Sequence, residues 1–243
     1  MSWHLGRLAG FDIESTGVSP ERDRIVTACV VQCGGNQPVA SATWMADPGV
    51  EIPEAASAVH GITTERARKE GAPAAEVVEQ VVTALTAVVL SGIPVVAMNA
   101  AYDLTMLDRE ARRHGVQPLA ETVGADLRVV DPFVLDKQVV PRRRGKRTLT
   151  ALCEAYRVPL DGAHDAAADA LAACRVVWRI GQQYPEIGSA SLDALHQQQI
   201  GWAAQQAADL ADYFRRTPGK QDRAKTVRGD WPYIPHQRTG GAS

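Results

Sequence analysis

The sequence predicts an α/β fold in which helices cover a mixed five-stranded sheet and a helical extension follows at the C-terminus. Two observations support this class. Three short strand-like segments come first, and later strand-like segments alternate with longer stretches whose apolar residues recur at helical spacing. The resulting order, β-β-β-α-β-α-β-α-α, implies a mixed sheet covered by helices. The 243 residues fit one large domain, or one domain with an appendage.

The five strands are predicted from apolar segments bounded by turn residues. They cover residues 7–13, 24–33, 39–46, 93–98 and 126–131. A polar turn, TGVSPERD, separates the first two. We expect the segment PGVEIPEAASAVHGITTE, which follows the third strand, to be a long loop with little regular structure.

The helices are predicted from apolar stripes and from residues that favour helix ends. Pro73 opens the first helix, and Asn99 can cap the second, which Gly115 ends. Two more helices cover residues 148–156 and 165–184, and a helical extension lies within residues 186–216. Its apolar stripe is wide enough to need cover, so we expect it to pack on the domain formed by residues 1–185. We expect residues 217–243 to be an irregular basic tail.

Composition limits the classes of protein that the chain can belong to. A net charge of −2 means that any nucleic-acid binding must use local patches. The four cysteines form no CxxC pair and predict buried, reduced thiols in a cytoplasmic protein. The N-terminus has no signal-peptide core. Breaker residues interrupt the longest apolar run, residues 81–98, which favours a helix, a turn and a strand over a membrane span.

Two acids, Asp12 and Glu14, lie in the stretch GFDIESTG on a predicted core strand. Residues two apart on a strand point to the same face, so the two carboxylates converge. Carboxylates side by side on a core strand repel each other and resist desolvation, and a divalent cation would relieve both effects. The simpler interpretation is a strand end that reaches solvent. A second D-x-E pair, Asp108 and Glu110, falls on a helix, where we expect a solvated face.

Three further candidates come from two other segments. Asp103, in NAAYD, lies one turn into a helix, where the helix dipole alone would favour an acid. His164 precedes a helix that Asp165 can cap, and Asp169 lies about a turn further on among alanines. An acid in an alanine-rich face is unusual because buried acids need partners.

Together these segments resemble the DEDDh exonuclease family, of the DnaQ-like proofreading-subunit type. The matching residues are Asp12, Glu14, Asp103, His164 and Asp169. The segments VHGIT and RTLTALCEAYRVPLDGAH also resemble the family, and the likeness extends from residue 7 to about residue 180. Met98 departs from it, since relatives often carry a histidine there. The resemblance implies an RNase H-like fold for residues 1–185 and 3′→5′ exonuclease activity.

The resemblance also implies two Mg²⁺ or Mn²⁺ ions held by Asp12, Glu14, Asp103 and Asp169. Carboxylate oxygens are hard ligands that suit these ions, and two ions about 4 Å apart suit in-line attack on a phosphodiester. In this scheme Asp103 can act through a bound water, and His164 takes the proton from the attacking water.

Candidate substrate-binding residues flank the acids. They are Ser15, Thr16, Gly17, His60, Asn99 and Tyr102. Gly17 would permit close approach of the terminal nucleotide, and the ring of Tyr102 could stack on a base. Simpler interpretations make Tyr102 a half-buried helix residue, Asn99 a helix cap and His60 an exposed loop residue.

Two basic segments could contact phosphates. RRRGKR, residues 142–147, carries five positive charges, and residues 215–228 carry six against one acid. Alternatively, the first is a solvated face and the second a mobile solubilising tail.

The leading functional hypothesis is a 3′→5′ exonuclease acting on single-stranded DNA ends in proofreading or repair, with a DNA polymerase as a candidate partner. An exoribonuclease is the first alternative, because the sequence does not show whether the pocket accepts a 2′-hydroxyl. A non-catalytic polymerase-associated subunit that has kept the fold is the second.

Overall fold

The computed structural model describes residues 2–160 and 165–236. Within this part of the chain, one mixed sheet has six strands in the order β4-β3-β2-β1-β5-β6. The strands are β1 (Arg7–Ser15), β2 (Ile25–Gly34), β3 (Ala40–Asp47), β4 (Ala72–Pro73), β5 (Val95–Val96) and β6 (Val129–Val130). β1, β2 and β3 are antiparallel neighbours, whereas β5 runs parallel to β1, β6 parallel to β5, and β4 parallel to β3.

The predicted α/β class is confirmed, and the predicted strand count is one short. The additional strand, β4, is a two-residue pairing with the end of β3. A segment this short carries no alternation of apolar and polar residues that could predict it.

Helices flank the sheet on both faces. They are α1 (Glu54–His60), α2 (Thr64–Glu70), α3 (Ala74–Leu90), α4 (Ala100–Arg113), α5 (Leu119–Val123), α6 (Pro132–Val139), α7 (Leu149–Tyr156), α8 (Ala166–Gln183), α9 (Pro185–Gly188), α10 (Leu192–Arg216) and α11 (Gln221–Ala224). Trp3–Leu5 and Gly124–Asp126 form single 3₁₀ turns. No helix in the described ranges is both long and apolar enough to cross a bilayer.

The prediction of a long irregular loop after β3 was wrong, because α1 and α2 occupy it. Thr63 caps α2 by accepting a hydrogen bond from the Arg66 N–H, and Gly61 ends α1 with a φ of 73°. None of the α1 side chains is buried. A helix with no buried stripe shows no apolar period, so periodicity could not reveal it.

Alternating residues of β1 face two separate cores. Ala9, Phe11 and Ile13 pack in a cluster with α3 and α4. On the opposite face, α8 approaches so closely that a Cβ on Gly10 would lie 2.3 Å from the carbonyl oxygen of Ala170. Only glycine permits this contact, and it brings the first turns of α8 beside β1.

Asp108 and Glu110 are buried, 7% and 0% exposed, so the predicted solvated face was wrong. Arg109 and Arg112 hydrogen-bond to Asp108, and Arg113 pairs with Glu110. The arginines compensate the buried acids, and this compensation lets a polar helix face pack inside the protein. The four cysteines are buried free thiols, as predicted.

The C-terminal extension packs on the domain, as its apolar stripe predicted. Leu195 and Gln199 of α10 are fully buried, and α10 contacts α6 and β6. The segment predicted to be irregular contains the short helix α11. Beyond it, residues 225–236 form no helix or strand, yet Trp231 is only 7% exposed and joins the main core.

Candidate active site

β1 places two of the candidate acids on the face opposite the main core. Because Phe11 and Ile13 point into that core, Asp12 and Glu14 point towards α8. Asp165 begins α8, and its Oδ1 accepts hydrogen bonds from the N–H groups of Ala167 and Ala168, both at 3.0 Å. Together with the close contact at Gly10, this start of the helix sets Asp169 against β1.

The structure brings Asp12, Glu14 and Asp169 together. One carboxylate oxygen from each lies within 4.8 Å of the others, and all three side chains are partly accessible. Three hard oxygen donors at this spacing could hold a divalent cation.

Asp103 lies beside this group but is not a member of it. Its side chain is 4% exposed in the first turn of α4. Its charge is the largest electrostatic influence on Asp12. A fourth, more enclosed carboxylate next to the three-acid cluster is therefore available to orient a ligand or a bound water.

The acids raise one another's pKa values. Burial first, and then the charges of Asp103 and Asp169, raises the pKa of Asp12 well above its usual range. Burial and the neighbouring carboxylates of Asp169 and Asp165 raise the pKa of Glu14 to about 7. Burial also raises the pKa of Asp103. Mutual repulsion of this kind is what a bound divalent cation relieves, so the donor set fits such an ion.

His164 lies outside the described residues, so its predicted place over the acids remains a prediction. The cap that Asp165 was expected to form on the following helix is present.

A cleft of about 480 Å³ opens beside Glu14. Its lining is mostly apolar and includes five of the six predicted substrate-binding residues, Ser15, Thr16, Gly17, His60 and Tyr102. The hydroxyls of Ser15 and Tyr102 lie 2.6 Å apart, and both lie within hydrogen-bond distance of the Gly17 carbonyl. Tyr102 therefore fixes the turn that forms one wall of the cleft.

Two cleft residues have structural roles that the sequence did not reveal. A Cβ on Gly17 would lie 2.6 Å from the Asp23 carboxylate, so a larger residue there would have to displace the Asp23 side chain. Thr16 is 5% exposed, and its hydroxyl accepts a hydrogen bond from the Arg24 N–H at 3.0 Å.

Asn99 is the predicted substrate residue that the structure does not bring into this cleft. It lines a separate cleft with Phe133 and Trp231. Its contact with substrate remains a prediction. The prediction that Asn99 caps α4 was wrong, because the residue has a φ of 62° and its side chain makes no capping bond. The Asp131 carboxylate accepts hydrogen bonds from the N–H groups of Asn99 and Ala100 instead, both at 3.0 Å.

Sequence reasoning missed Asp131. The Asp131-Pro132 pair at the end of a predicted strand is a common helix start, with a capping acid before a proline. That pattern could have predicted α6, which Asp131 caps, but not the reach of the same carboxylate to α4.

The positively charged residues of the basic loop, residues 142–147, have two different environments. Arg143 and Arg147 hydrogen-bond to the fully buried Asp136, at 3.0 and 2.8 Å. Arg142, Arg144 and Lys146 are exposed. Part of the run therefore anchors the loop, and the remainder faces solvent.

Comparison with known proteins identifies the family. The RNase_T model, described as an exonuclease, matches residues 9–177. The chain belongs to the RNase_T exonuclease family. The matched segment contains all four candidate acids, and the resemblance to DnaQ-like DEDD exonucleases is confirmed at the level of the family.

The curated proteins and solved structures that the chain resembles are also exonucleases or DNA polymerases by name. The DNA polymerase III PolC-type of Lacticaseibacillus paracasei is 25% identical over 187 residues, which is 76% of this chain and 12% of that protein. A solved structure of Exonuclease I matches with a TM-score of 0.63 and 19% identity, covering 74% of this chain and 42% of that one. Escherichia coli Exonuclease I in complex with a dT13 oligonucleotide matches with a TM-score of 0.62 and 17% identity, covering 90% and 46%.

These structural likenesses show a common RNase H-like fold. The chain spans about an eighth of the PolC-type relative and less than half of the two Exonuclease I chains.

Proposed function

We propose that this exonuclease removes nucleotides from the 3′ ends of single-stranded DNA with the help of two divalent metal ions. The observation that carries the proposal is the cluster of Asp12, Glu14 and Asp169 beside Asp103, with Glu14 also lining an adjacent cleft, in a chain of an exonuclease family.

Asp12, Glu14 and Asp169 would hold Mg²⁺ or Mn²⁺ directly, with Asp103 alongside. Bound ions of this kind supply an activated water and charge stabilisation at the leaving oxygen. The carboxylates fix the position at which that chemistry occurs, because β1 and α8 hold them in one place. His164, five residues before Asp169, is our candidate for the group that takes the proton from the attacking water.

The cleft beside Glu14 would hold the terminal nucleotide. Its volume of about 480 Å³ falls in the range of small-ligand sites, and its apolar lining suits the face of a base. The ring of Tyr102 lines the cleft while its hydroxyl is bonded to the protein, so the ring can contact a base without losing that bond. His60 lines the cleft near Ser15, where it can contact the sugar or phosphate.

Single-stranded DNA is the favoured substrate because the Exonuclease I relative was solved with a dT13 oligonucleotide. Because the PolC-type relative is a DNA polymerase III by name, our proposal extends to proofreading or repair with a DNA polymerase as partner, in the cytoplasm. The competing proposal is an exoribonuclease. Whether the cleft accepts the 2′-hydroxyl of a ribonucleotide would decide between RNA and DNA as substrate.

Digestion of end-labelled oligonucleotides tests the proposal. With Mg²⁺, a 5′-labelled DNA strand should give a ladder of shortening products, and EDTA should stop the reaction. An Asp12→Asn/Asp169→Asn double variant, purified in the same way, controls for contaminating nucleases. Release of the 5′ label as a mononucleotide would show digestion from the 5′ end instead. Faster digestion of RNA than of DNA would favour the exoribonuclease, and no cleavage would favour a non-catalytic subunit.

A further inference from the structure

We infer that the C-terminal extension and the segment after it position the active-site helix α4, through Gln199 of α10 and Trp231 acting on Asp131. This inference goes beyond the family domain, whose match ends at residue 177. It rests on the proposed function for its meaning in catalysis.

Asp131 is the centre of the connection. Its side chain is 1% exposed and accepts four hydrogen bonds. Oδ1 accepts from the N–H groups of Asn99 at 3.0 Å and Phe133 at 2.8 Å. Oδ2 accepts from the Ala100 N–H at 3.0 Å and from the indole N–H of Trp231 at 3.2 Å. One carboxylate thus joins the starts of α4 and α6 to the C-terminal segment.

α4 depends on this carboxylate because it has no cap of its own. The first N–H groups of a helix have no partner within the helix. Asn99 precedes α4 in a left-handed conformation, and its side chain does not bond to them. Asp131, which directly follows β6 and caps α6, supplies the missing acceptor. Asp103 lies only three residues after Ala100, so the position of its carboxylate follows from this cap.

α10 of the extension fixes the backbone of Asp131 and of Val129 in β6. The Gln199 side chain of α10 accepts a hydrogen bond from the Asp131 N–H at 2.8 Å and donates one to the Val129 carbonyl at 2.9 Å. Nδ1 of His196 accepts from the Val129 N–H at 3.1 Å. Side chains of α10 thereby complete the hydrogen bonds on the outer side of β6.

Trp231 closes the arrangement from the C-terminal segment. It is 7% exposed, and its ring lies 5.1 Å from the His196 ring. Because its indole donates to the same oxygen as Ala100, loss of that donor changes the acceptor that α4 uses. Trp231 and Gln199 are therefore positioning residues for Asp103, to which they act only through Asp131.

Three variants of the full chain test the inference. Trp231→Phe removes the indole donor and keeps most of the packing, and Asp131→Asn keeps the size of the side chain and removes its charge. Tyr233→Leu is the matched control, because Tyr233 lies in the same segment and packs on the same core but makes no described contact with Asp131. Each is examined for Mn²⁺ affinity by calorimetry, for melting temperature, and for kcat and KM on an oligonucleotide.

We expect Trp231→Phe and Asp131→Asn to weaken Mn²⁺ binding and to lower kcat, by about 10-fold to 100-fold for Asp131→Asn, with KM near wild type. Tyr233→Leu should lower the melting temperature and leave Mn²⁺ affinity and kcat unchanged. If Trp231→Phe keeps wild-type Mn²⁺ affinity and kcat, the extension is only a structural support and the inference fails, whether or not Asp131→Asn folds. Mn²⁺ affinity is measured without substrate. A failure of this inference can therefore be told apart from a failure of the proposed function, in which the wild-type protein would digest RNA or cleave in the opposite direction.

Discussion

At the scale of single residues, Glu14 has the pKa that is most informative near neutral pH. Burial and two neighbouring acids raise that pKa from 4.5 to about 7. Between these values the folded protein binds more protons than the unfolded chain, so the free energy of unfolding falls as pH rises. The stabilising effect of protonation is fully lost above about pH 7.

We therefore expect the metal-free protein to melt at a higher temperature at about pH 5.5 than at about pH 8. Thermal melts in EDTA across this range provide the measurement. Glu14→Gln should show a smaller slope, because it removes one of the titrating acids, and Mn²⁺ should reduce the slope of the wild type. A Glu14→Gln slope equal to the wild-type slope would contradict the assignment.

We expect substitutions of His164 and of the acids to have different effects on metal binding and turnover. We expect His164→Ala to keep Mn²⁺ affinity and lower kcat by about 10²–10⁴-fold, the usual contribution of a general base. Asp12→Ala should lose both metal binding and turnover, because it removes a ligand from the three-acid cluster. Calorimetry with Mn²⁺ distinguishes the two, and equal losses of affinity would make His164 a ligand instead.

The two D-x-E pairs show what a short pattern can and cannot predict. For Asp12 and Glu14, the alternation of a strand was enough to predict that both carboxylates share a face. For Asp108 and Glu110, helical spacing predicted exposure, yet both are buried with arginines. The neutralising partners of Asp108 lie on the same helix, but the packing that buries them comes from distant parts of the chain, about which local spacing carries no information.

At the scale of elements, the contact between β1 and α8 controls the acid cluster. A side chain at Gly10 would overlap the backbone of Ala170, one residue after Asp169. We expect Gly10→Ala to push α8 away, to lower stability by about 1–3 kcal/mol, and to weaken Mn²⁺ binding as Asp169 separates from β1.

Gly201→Ala is the matched control for this substitution. Gly201 lies within α10, and a Cβ there would meet nothing within 4 Å. Alanine at that position should stabilise the protein by up to about 1 kcal/mol and leave the metal site unchanged. Denaturant unfolding and Mn²⁺ calorimetry measure both variants, and intact metal affinity in Gly10→Ala would show that α8 does not set the site.

Long elements were predicted reliably, whereas several short helices were missed. β1, β2, α3 and α10 bury stripes long enough to repeat their period several times, so the sequence predicted them to within a few residues. α1 and α5 are helices of seven and five residues, too short for a period to emerge. The Asp131 connection was equally hidden, since Gln199 and Trp231 lie 68 and 100 residues away along the chain.

At the scale of the whole molecule, the distribution of charge decides how DNA would approach. Several tail cations have partners, since Lys225 pairs with Asp222, Arg228 pairs with Asp230, and Arg223 lies over the ring of Phe214. Arg142, Arg144 and Lys146 are exposed and make no described ion pair. The basic loop is therefore better placed than the tail to meet phosphates.

Charge reversal tests this difference. We expect Arg142→Glu/Arg144→Glu/Lys146→Glu to raise KM for a single-stranded oligonucleotide and to flatten its dependence on salt, with kcat unchanged. The log–log slope should fall by about 0.7 for each phosphate that the variant no longer neutralises. Reversal of Lys220, Arg223 and Lys225 should have a smaller effect. Equal changes of KM and salt dependence in both variants would show that the tail also contacts DNA. No change in either variant would show that neither segment contacts DNA.

The side chains of α10 that complete the hydrogen bonds of β6 also define how far the stable protein extends. A fragment ending at residue 185 would keep the whole family match but expose the outer backbone groups of β6. Bare strand edges recruit other strands, so such fragments should associate edge to edge and precipitate, whereas the full chain stays monodisperse in light scattering. The edge strand β6 is thus protected from aggregation by α10, a helix that lies outside the residues matched by the family model.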